Sequence, residues 1–211
     1  MIFNKEKTDY YVDHNLSYES DILKYIREYT VKNYKNHYMM SSRLQGKFLS
    51  MISYMMNPNY ILEIGTYTGY SLFSLYQGLN KNGLIITIDI NKELNLWIKY
   101  ITKNYKNNIL YYNNNAKEII NNLKYKFDLI FIDCNKSDYY YFYINTLPLL
   151  RKNGIMILDN VLWKNQVVNE SYNDIGITKK MRIFNLKIKE DLKVDNMILS
   201  IRDGLMIIRK L

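Results

Sequence analysis

Short apolar runs alternate with helix-like stretches from residue 60 onward. Apolar runs of this length, with little alternation, are typical of parallel strands that helices cover on both faces. The pattern therefore predicts an α/β fold built from successive βαβ units. The predicted strands span 60–64, 84–89, 108–112, 127–133 and 154–159. The predicted connecting helices span 70–79, 92–105, 115–124 and 137–151.

Two helices are predicted ahead of the first strand. Residues 18–35 place apolar side chains three or four positions apart, and a second helix runs from Ser41 to about Met56 and stops near Asn57. We interpret the 211 residues as one domain, with a helical arm over residues 1–58 and a Rossmann-like core over residues 59–211.

The C-terminal segment predicts a helix around 176–189 and then two strands, 196–201 and 204–210. Because only Arg202 and Asp203 precede Gly204 in the connection, the two strands must form an antiparallel pair.

Composition indicates an ordinary globular protein, with 48% apolar residues and a formal charge of +9. The basic residues are spread along the chain without a stripe, so a solvated surface is favoured over a nucleic-acid interface. The single cysteine, Cys134, allows no internal disulfide, and no apolar run approaches the length of a membrane span. We expect a cytoplasmic protein that does not bind membranes.

A glycine loop follows the first predicted strand in the sequence ILEIGTYTGYS, residues 61–71. Gly65 and Gly69 allow a tight turn where ligands bind in doubly wound sheets, and Ser71 lies in the first turn of the next helix. Asp89 ends the second strand, where a carboxylate can accept from ribose hydroxyls. A dinucleotide fits this loop too, but Glu63 at the strand tip would repel a pyrophosphate and suits the ammonium of S-adenosylmethionine (SAM).

Oxygen-bearing side chains end the fourth and fifth predicted strands. Asp133 and Asp159 would converge if those strands are neighbours, about 4.8 Å apart. With Asn160 they form a three-oxygen face that suits a divalent cation such as Mg²⁺, although either aspartate alone would be read as a loop cap. Lys136, three residues after Asp133, is a candidate general base, with an exposed lysine as the alternative.

Other reactive or aromatic residues favour structural roles. We expect Cys134, His14 and His37 to be structural, and Trp163 and Tyr139 to fill the core or a pocket wall.

Together these residues resemble the cation-dependent O-methyltransferases of the caffeoyl-CoA and catechol type. The resemblance extends from Met39 to the C-terminus and implies a seven-stranded sheet whose last strand is antiparallel. It rests on several motifs in the family's order. These are LQGKFLSM (44–51), ILEIGTYTGYS (61–71), IDIN (88–91), FIDCNKSDYY (131–140), LDNVLW (158–163) and RDGL (202–205).

The resemblance also implies roles for individual positions. The implied SAM contacts are Met39, Ser41, Glu63, Gly65, Thr66, Ser71, Asp89, Ala116 and Asp133. Asp133, Asp159 and Asn160 match the metal ligands, and Lys136 matches the catalytic lysine. The chain departs from common family residues at Asn115, Cys134 and Asn135, which leaves the methyl acceptor open.

Three functions remain open from sequence. The first is methyl transfer to a small catechol-like phenol, and the second is methyl transfer to a hydroxylated uridine in tRNA, which the basic charge modestly favours. The third is a cofactor-binding protein that no longer catalyses, against which the intact catalytic and metal positions argue. A homodimer is possible because relatives are often dimers.

Overall fold

The computed structural model of the chain describes residues 5–169 and 176–211. Its centre is a seven-stranded sheet with the order β3-β2-β1-β4-β5-β7-β6. Strands β1 to β5 pair in parallel, and β7 runs antiparallel to both β5 and β6. The strands are β1 Tyr60–Ile64, β2 Leu84–Asp89, β3 Ile109–Asn113, β4 Phe127–Ile132, β5 Leu150–Leu158, β6 Val194–Leu199 and β7 Leu205–Lys210. The predicted α/β fold with its antiparallel last strand is confirmed.

Helices cover both faces of this sheet. They are α1 Lys5–His14, α2 Asp21–Asn33, α3 Arg43–Met56, α4 Tyr70–Tyr76, α5 Asn95–Thr102, α6 Ala116–Ile120, α7 Tyr139–Thr146 and α8 Gly176–Glu190. Alternate residues of one strand enter two different cores: Leu62 and Ile64 pack with α7 and α8, whereas Ile61 packs with α3 and α4. Burial on both faces explains why the strands read as continuous apolar runs. None of the helices in the described residues could cross a membrane.

Several element boundaries differ from the predictions, among them the three that follow. The predicted helix 137–151 ends at Thr146, and a 3-10 turn that contains Pro148 leads into β5 at Leu150. The strand predicted over 154–159 begins earlier, at Leu150, so Asn153 lies inside β5, where it has a positive φ and the pairing with β4 shifts register. The β6 strand begins two residues earlier than predicted, at Val194.

The arm also contains α1, a helix that the sequence pattern did not predict because its apolar residues form no regular stripe. The second predicted helix of the arm is α3, which Ser42 caps by accepting from the Gln45 backbone N–H, and which ends at Asn57 in a left-handed conformation. The assignment of residues 1–58 as an arm on a single domain stays a prediction.

An ion-pair cluster fastens the arm to the helix that follows the glycine loop. The Glu19 carboxylate accepts from the Arg27 guanidinium at 2.9 Å and from the Tyr70 hydroxyl at 2.6 Å, and it lies 3.6 Å from the Arg43 guanidinium. Since the Glu19 side chain is only 10% exposed, water screens these contacts weakly. The arm is thereby held over the carboxyl edge of the sheet.

Backbone hydrogen bonds continue beyond the strand ends at this edge. The N–H of Asp133 donates to Ile64 at 2.8 Å, and the N–H of Asp159 donates to Ile132 at 3.1 Å. The N–H of Gly65 donates to Ile88 at 2.9 Å. The loops after β1, β4 and β5 are therefore held side by side as they leave the sheet.

We predict that Gly65→Ala destabilises the fold far more than Gly176→Ala. Both glycines have a positive φ, but a Cβ on Gly65 would lie 1.8 Å from the Asp133 carbonyl oxygen, whereas a Cβ on Gly176 meets none of the described residues within 4 Å. We expect a loss of about 1–2 kcal/mol for Gly176→Ala from backbone strain alone, and about 3 kcal/mol or more for Gly65→Ala. Urea unfolding of both variants measures this, and equal losses would contradict the packing role of Gly65.

Candidate functional site

A cavity of about 1380 Å³ opens at the carboxyl edge of the sheet. All predicted site residues line it except Glu63, which is fully buried. Pockets for one small ligand usually measure about 300–1,000 Å³, so this cavity has room for a cofactor and a second molecule. His14, His37 and Tyr139 do not line it, whereas Trp163 does.

The glycine loop is shaped by the Asp89 carboxylate. One oxygen accepts from the backbone N–H groups of Thr66 at 3.0 Å and Tyr67 at 2.7 Å, and the other accepts from the N–H of Asn91 at 2.8 Å. A carboxylate has about four acceptor positions, so one stays available to a ligand hydroxyl. Asp89 thus holds the loop in place and can still serve as the predicted ribose acceptor.

A glycine is needed at residue 65 for packing as well as for access of a ligand. Its close contact with the Asp133 carbonyl brings the glycine loop against the loop that follows β4. The predicted cofactor loop and the predicted metal loop are therefore in direct backbone contact. Any side chain at residue 65 would separate them.

Glu63 is a fully buried carboxyl group at the end of β1. Its Oε2 accepts from the Thr87 hydroxyl at 2.5 Å, and its Oε1 has no hydrogen-bond partner among the described residues. Burial raises the pKa of Glu63 to about 8, and the charges of Asp89 and Asp133 add to this, while Thr87 and Ser71 partly offset it. A cationic ligand group nearby would favour the charged form.

The arm and α6 complete the cofactor end of the cavity. Ser41 is buried and Met39 is largely exposed, although both line the cavity. Ala116 begins α6, where the Asn115 side chain caps the helix by accepting from the Lys117 N–H at 3.0 Å. Asn115, a departure from the family pattern, thus keeps a capping role.

Asp133, Lys136, Asp159 and Asn160 meet at the other end of the cavity. Lys136 Nζ lies 2.6 Å from Asp133 Oδ1, and the Lys136 side chain is only 12% exposed, so the alternative of a freely solvated lysine is wrong. Within the described ranges no three His, Cys, Asp or Glu residues cluster as a metal site would, and the predicted set has only two carboxylates beside an amide.

Asp159 is the buried carboxylate of this group, with 3% of its surface exposed. Its Oδ1 accepts from the Asn160 N–H and its Oδ2 accepts from the Gln45 side-chain amide, both at 2.7 Å. The pKa of Asp159 is raised to about 6, chiefly by burial and also by the Asp133 charge. The hydrogen bonds from Gln45 and Asn160 and the Lys136 charge oppose this increase. One lysine thus faces two carboxylates.

The half-buried Cys134 lines the cavity, and desolvation of its thiol raises the pKa because it disfavours the thiolate. It packs against the core formed by β4, α7 and α8, which agrees with the expected structural role. Tyr139 is likewise buried, and its hydroxyl donates to the Asp159 carbonyl at 2.7 Å.

Sequence reasoning missed Gln45 and Arg202 as parts of the site. Gln45 is fully buried although it is polar, and it lies one helical turn before the buried Leu49. A glutamine on the apolar face of α3 was the available signal, because buried amides need partners. For Arg202, its partners lie more than 150 residues away in sequence, so no local pattern could show them.

Comparisons with known proteins show the family to which the chain belongs. The sequence profile of the O-methyltransferase family matches residues 13–211. A putative caffeoyl-CoA O-methyltransferase of Arabidopsis thaliana is 33% identical, with 100% of this chain and 96% of the relative covered. A caffeoyl-CoA O-methyltransferase of Populus kitakamiensis is 31% identical over the same shares of the two chains.

Among solved structures, the SAH-bound methyltransferase of Podospora anserina superimposes with a TM-score of 0.90 at 28% identity, covering 100% of this chain and 98% of that one. The similarity therefore includes the arm, the sheet and the C-terminal hairpin. The chain belongs to the O-methyltransferase family, in its SAM-dependent class.

Proposed function

We propose that this enzyme transfers a methyl group from SAM to a hydroxyl of a small catechol-like phenol, with a divalent cation held at Asp133, Asp159 and Asn160. The observation that carries the proposal is that these three side chains line the same cavity as the glycine loop and the Asp89 carboxylate. The cavity volume allows both reactants to bind at once.

The cofactor end supports SAM as the methyl donor. The Podospora relative is described as bound to SAH, the product that SAM leaves after transfer. Here Ser71 lines the cavity where the methionine end would bind, the buried Glu63 lies beside Ser71 and its charge would favour the methionine ammonium, and Asp89 would accept from a ribose hydroxyl. When bound, SAM supplies an electrophilic methyl group.

The charges at the opposite end fit a divalent cation. Asp159 is buried beside Asp133, and among the described residues only Lys136 forms an ion pair with either carboxylate. Two close carboxylates repel each other unless a cation or proton is shared, and the Asn160 amide adds a neutral oxygen. When bound, such a cation lowers the pKa of a coordinated hydroxyl and holds vicinal oxygens in place.

We propose that Lys136 removes the proton from the acceptor hydroxyl. The acceptor oxygen loses its proton to Lys136 Nζ, forms a bond to the methyl carbon, and the carbon–sulfur bond of the donor breaks. Nζ donates to Asp133 Oδ1 at 2.6 Å. Asp133 holds that amine at the cavity wall.

The acceptor is a catechol-like phenol in this proposal because two relatives are named for caffeoyl-CoA, whose caffeoyl group carries two adjacent phenolic hydroxyls. No feature of the described residues specifically favours the alternative acceptor, a hydroxylated uridine in tRNA. A cytoplasmic location and a homodimer stay predictions from the sequence.

The proposal predicts metal-dependent labelling of phenols rather than RNA. Purified enzyme with tritiated SAM and Mg²⁺ is offered a panel of catechols in one set of reactions and bulk RNA in another. We expect label in at least one catechol and its loss with EDTA. Labelling that persists in EDTA would refute the metal role, and labelled RNA with unlabelled catechols would refute the acceptor.

Two aspartate variants serve as a matched control in this assay. Asp159→Ala removes the buried carboxylate and should abolish metal-dependent turnover. Asp195→Ala removes an exposed carboxylate on β6, whose side chain is 69% exposed, and should leave turnover unchanged.

Lys136 variants separate a general base from a simple positive charge. Lys136→Met should lower kcat about 100-fold or more, because positioned bases contribute about 10²–10⁴-fold. Lys136→Arg retains the charge opposite Asp133 but cannot accept a proton near neutral pH, so it should lose a similar amount. Single-turnover methyl transfer measures both, and near-normal activity of Lys136→Arg would argue against proton abstraction.

Glu63 should make the cofactor-free protein less stable as the pH rises. The pKa of Glu63 is about 8 when folded against 4.5 ordinarily, so its ionisation opposes folding progressively from about pH 4.5 to pH 8. Glu63→Gln should flatten this decline in the free energy of unfolding, measured with urea. It should also weaken SAM binding about tenfold or more, because the charge that favours the methionine ammonium is lost. Glu190→Gln, at the exposed end of α8, is the control. An unchanged pH slope in Glu63→Gln would refute the assignment.

A further inference from the structure

Gln45 joins the arm to the candidate metal site through a buried side chain. Its Nε2 donates to Asp159 Oδ2 at 2.7 Å, across 114 residues of sequence. Its Oε1 accepts from Arg202 Nη1 at 3.3 Å. The amide therefore lies between the carboxylate that follows β5 and a guanidinium in the turn of the C-terminal hairpin.

Arg202 determines which end of the Gln45 amide faces Asp159. A guanidinium can only donate hydrogen bonds, so the amide oxygen must point to Arg202 and the amide NH₂ to the carboxylate. The opposite orientation would set donor against donor and acceptor against acceptor. The ionised Asp159 carboxylate, which can only accept, requires the same orientation, so Arg202 and Asp159 fix the amide together.

Arg202 also holds the arm segment that lines the cofactor end. It donates to the Met40 carbonyl at 2.9 Å and to the Tyr38 carbonyl at 3.2 Å. The predicted cofactor contacts Met39 and Ser41 alternate with these two residues along the chain. One arginine thus contacts both the wall of the cofactor site and, through Gln45, the Asp159 carboxylate.

We propose that Gln45 and Arg202 are positioning residues that orient Asp159 for a divalent cation and couple cation binding to cofactor binding. This inference rests on the metal role proposed above. Asp159 is fixed by two directional bonds, one from the Asn160 N–H and one from Gln45. Removing the second leaves the carboxylate free to rotate towards Asp133 or away from the cavity, which weakens the cation site.

The test is a calorimetric titration of Mn²⁺ into the full-length protein without an acceptor. Loss of groups that orient metal ligands typically costs about 10–100-fold in affinity, so we expect this weakening for Gln45→Met, which preserves the buried volume. Arg202→Met should also weaken binding. The double variant should be no weaker than the worse single variant, because both changes break the same chain of hydrogen bonds.

Two control variants remove the same chemical groups elsewhere. Gln77→Met removes an amide at the C-terminal end of α4 that donates to Ser20. Arg209→Met removes a guanidinium of β7 that is paired with Asp195 on β6. Both should bind Mn²⁺ like the wild type. Thermal unfolding shows whether each variant is folded. Arg202 is exposed, so its variant tests the proposal even if Gln45→Met fails to fold.

A second titration tests the coupling. Saturating S-adenosylhomocysteine should raise the Mn²⁺ affinity of the wild type, and the reciprocal effect must be equal. In Arg202→Met this gain should disappear, and S-adenosylhomocysteine itself should bind more weakly. A merely structural loss of stability would not remove the coupling selectively.

The outcomes distinguish this inference from the proposed function. A wild-type protein that binds no Mn²⁺ would overturn both the metal role and the positioning role. Normal Mn²⁺ binding by the wild type, Gln45→Met and Arg202→Met would overturn the positioning role alone, and additive losses in the double variant would overturn the connection through Gln45.

Discussion

Parallel pairing of β1, β4 and β5 is the constraint on which the site depends. The register pairs Ile64 with Ile132 and Ile132 with Leu158, so the residues that follow these strand ends leave the sheet together. Hydrogen bonds from Asp133 to Ile64 and from Asp159 to Ile132 extend this order one residue beyond the strands. Two carboxylates from distant parts of the chain therefore face one cavity, because the strands that they follow end side by side.

The same geometry places charge where water cannot solvate it. Glu63 and Asp159 are both nearly inaccessible, and burial raises the pKa of each. Such groups oppose folding when ionised unless a ligand compensates them. Their retention in a SAM-dependent methyltransferase is reasonable because the proposed ligands, a sulfonium amino acid and a divalent cation, both bring positive charge.

The sequence allowed most of the sheet to be predicted, because buried strands leave continuous apolar runs. It did not show that β5 begins at Leu150, since Asn153 and Gly154 resemble a turn and only the pairing with β4 reveals an irregular strand. Site residues at strand ends were predictable for the same reason as the strands. The position of Gln45 on the apolar face of α3 indicated that it is buried, but its hydrogen-bond partner Asp159, 114 residues away, could not be predicted.

Contacts between distant segments also connect the arm to the candidate site. Glu19 fastens the arm to α4 through Tyr70, and Arg202 fastens the arm segment at residues 38–40 to the C-terminal hairpin. The hairpin turn in turn supports the loop after β5, where Gly204 accepts from the Val161 N–H at 3.1 Å. A displacement of the arm would therefore reach Asp159 by two routes, through Gln45 and through this loop. The arm, the sheet edge and the hairpin therefore form one connected set of contacts around the cavity.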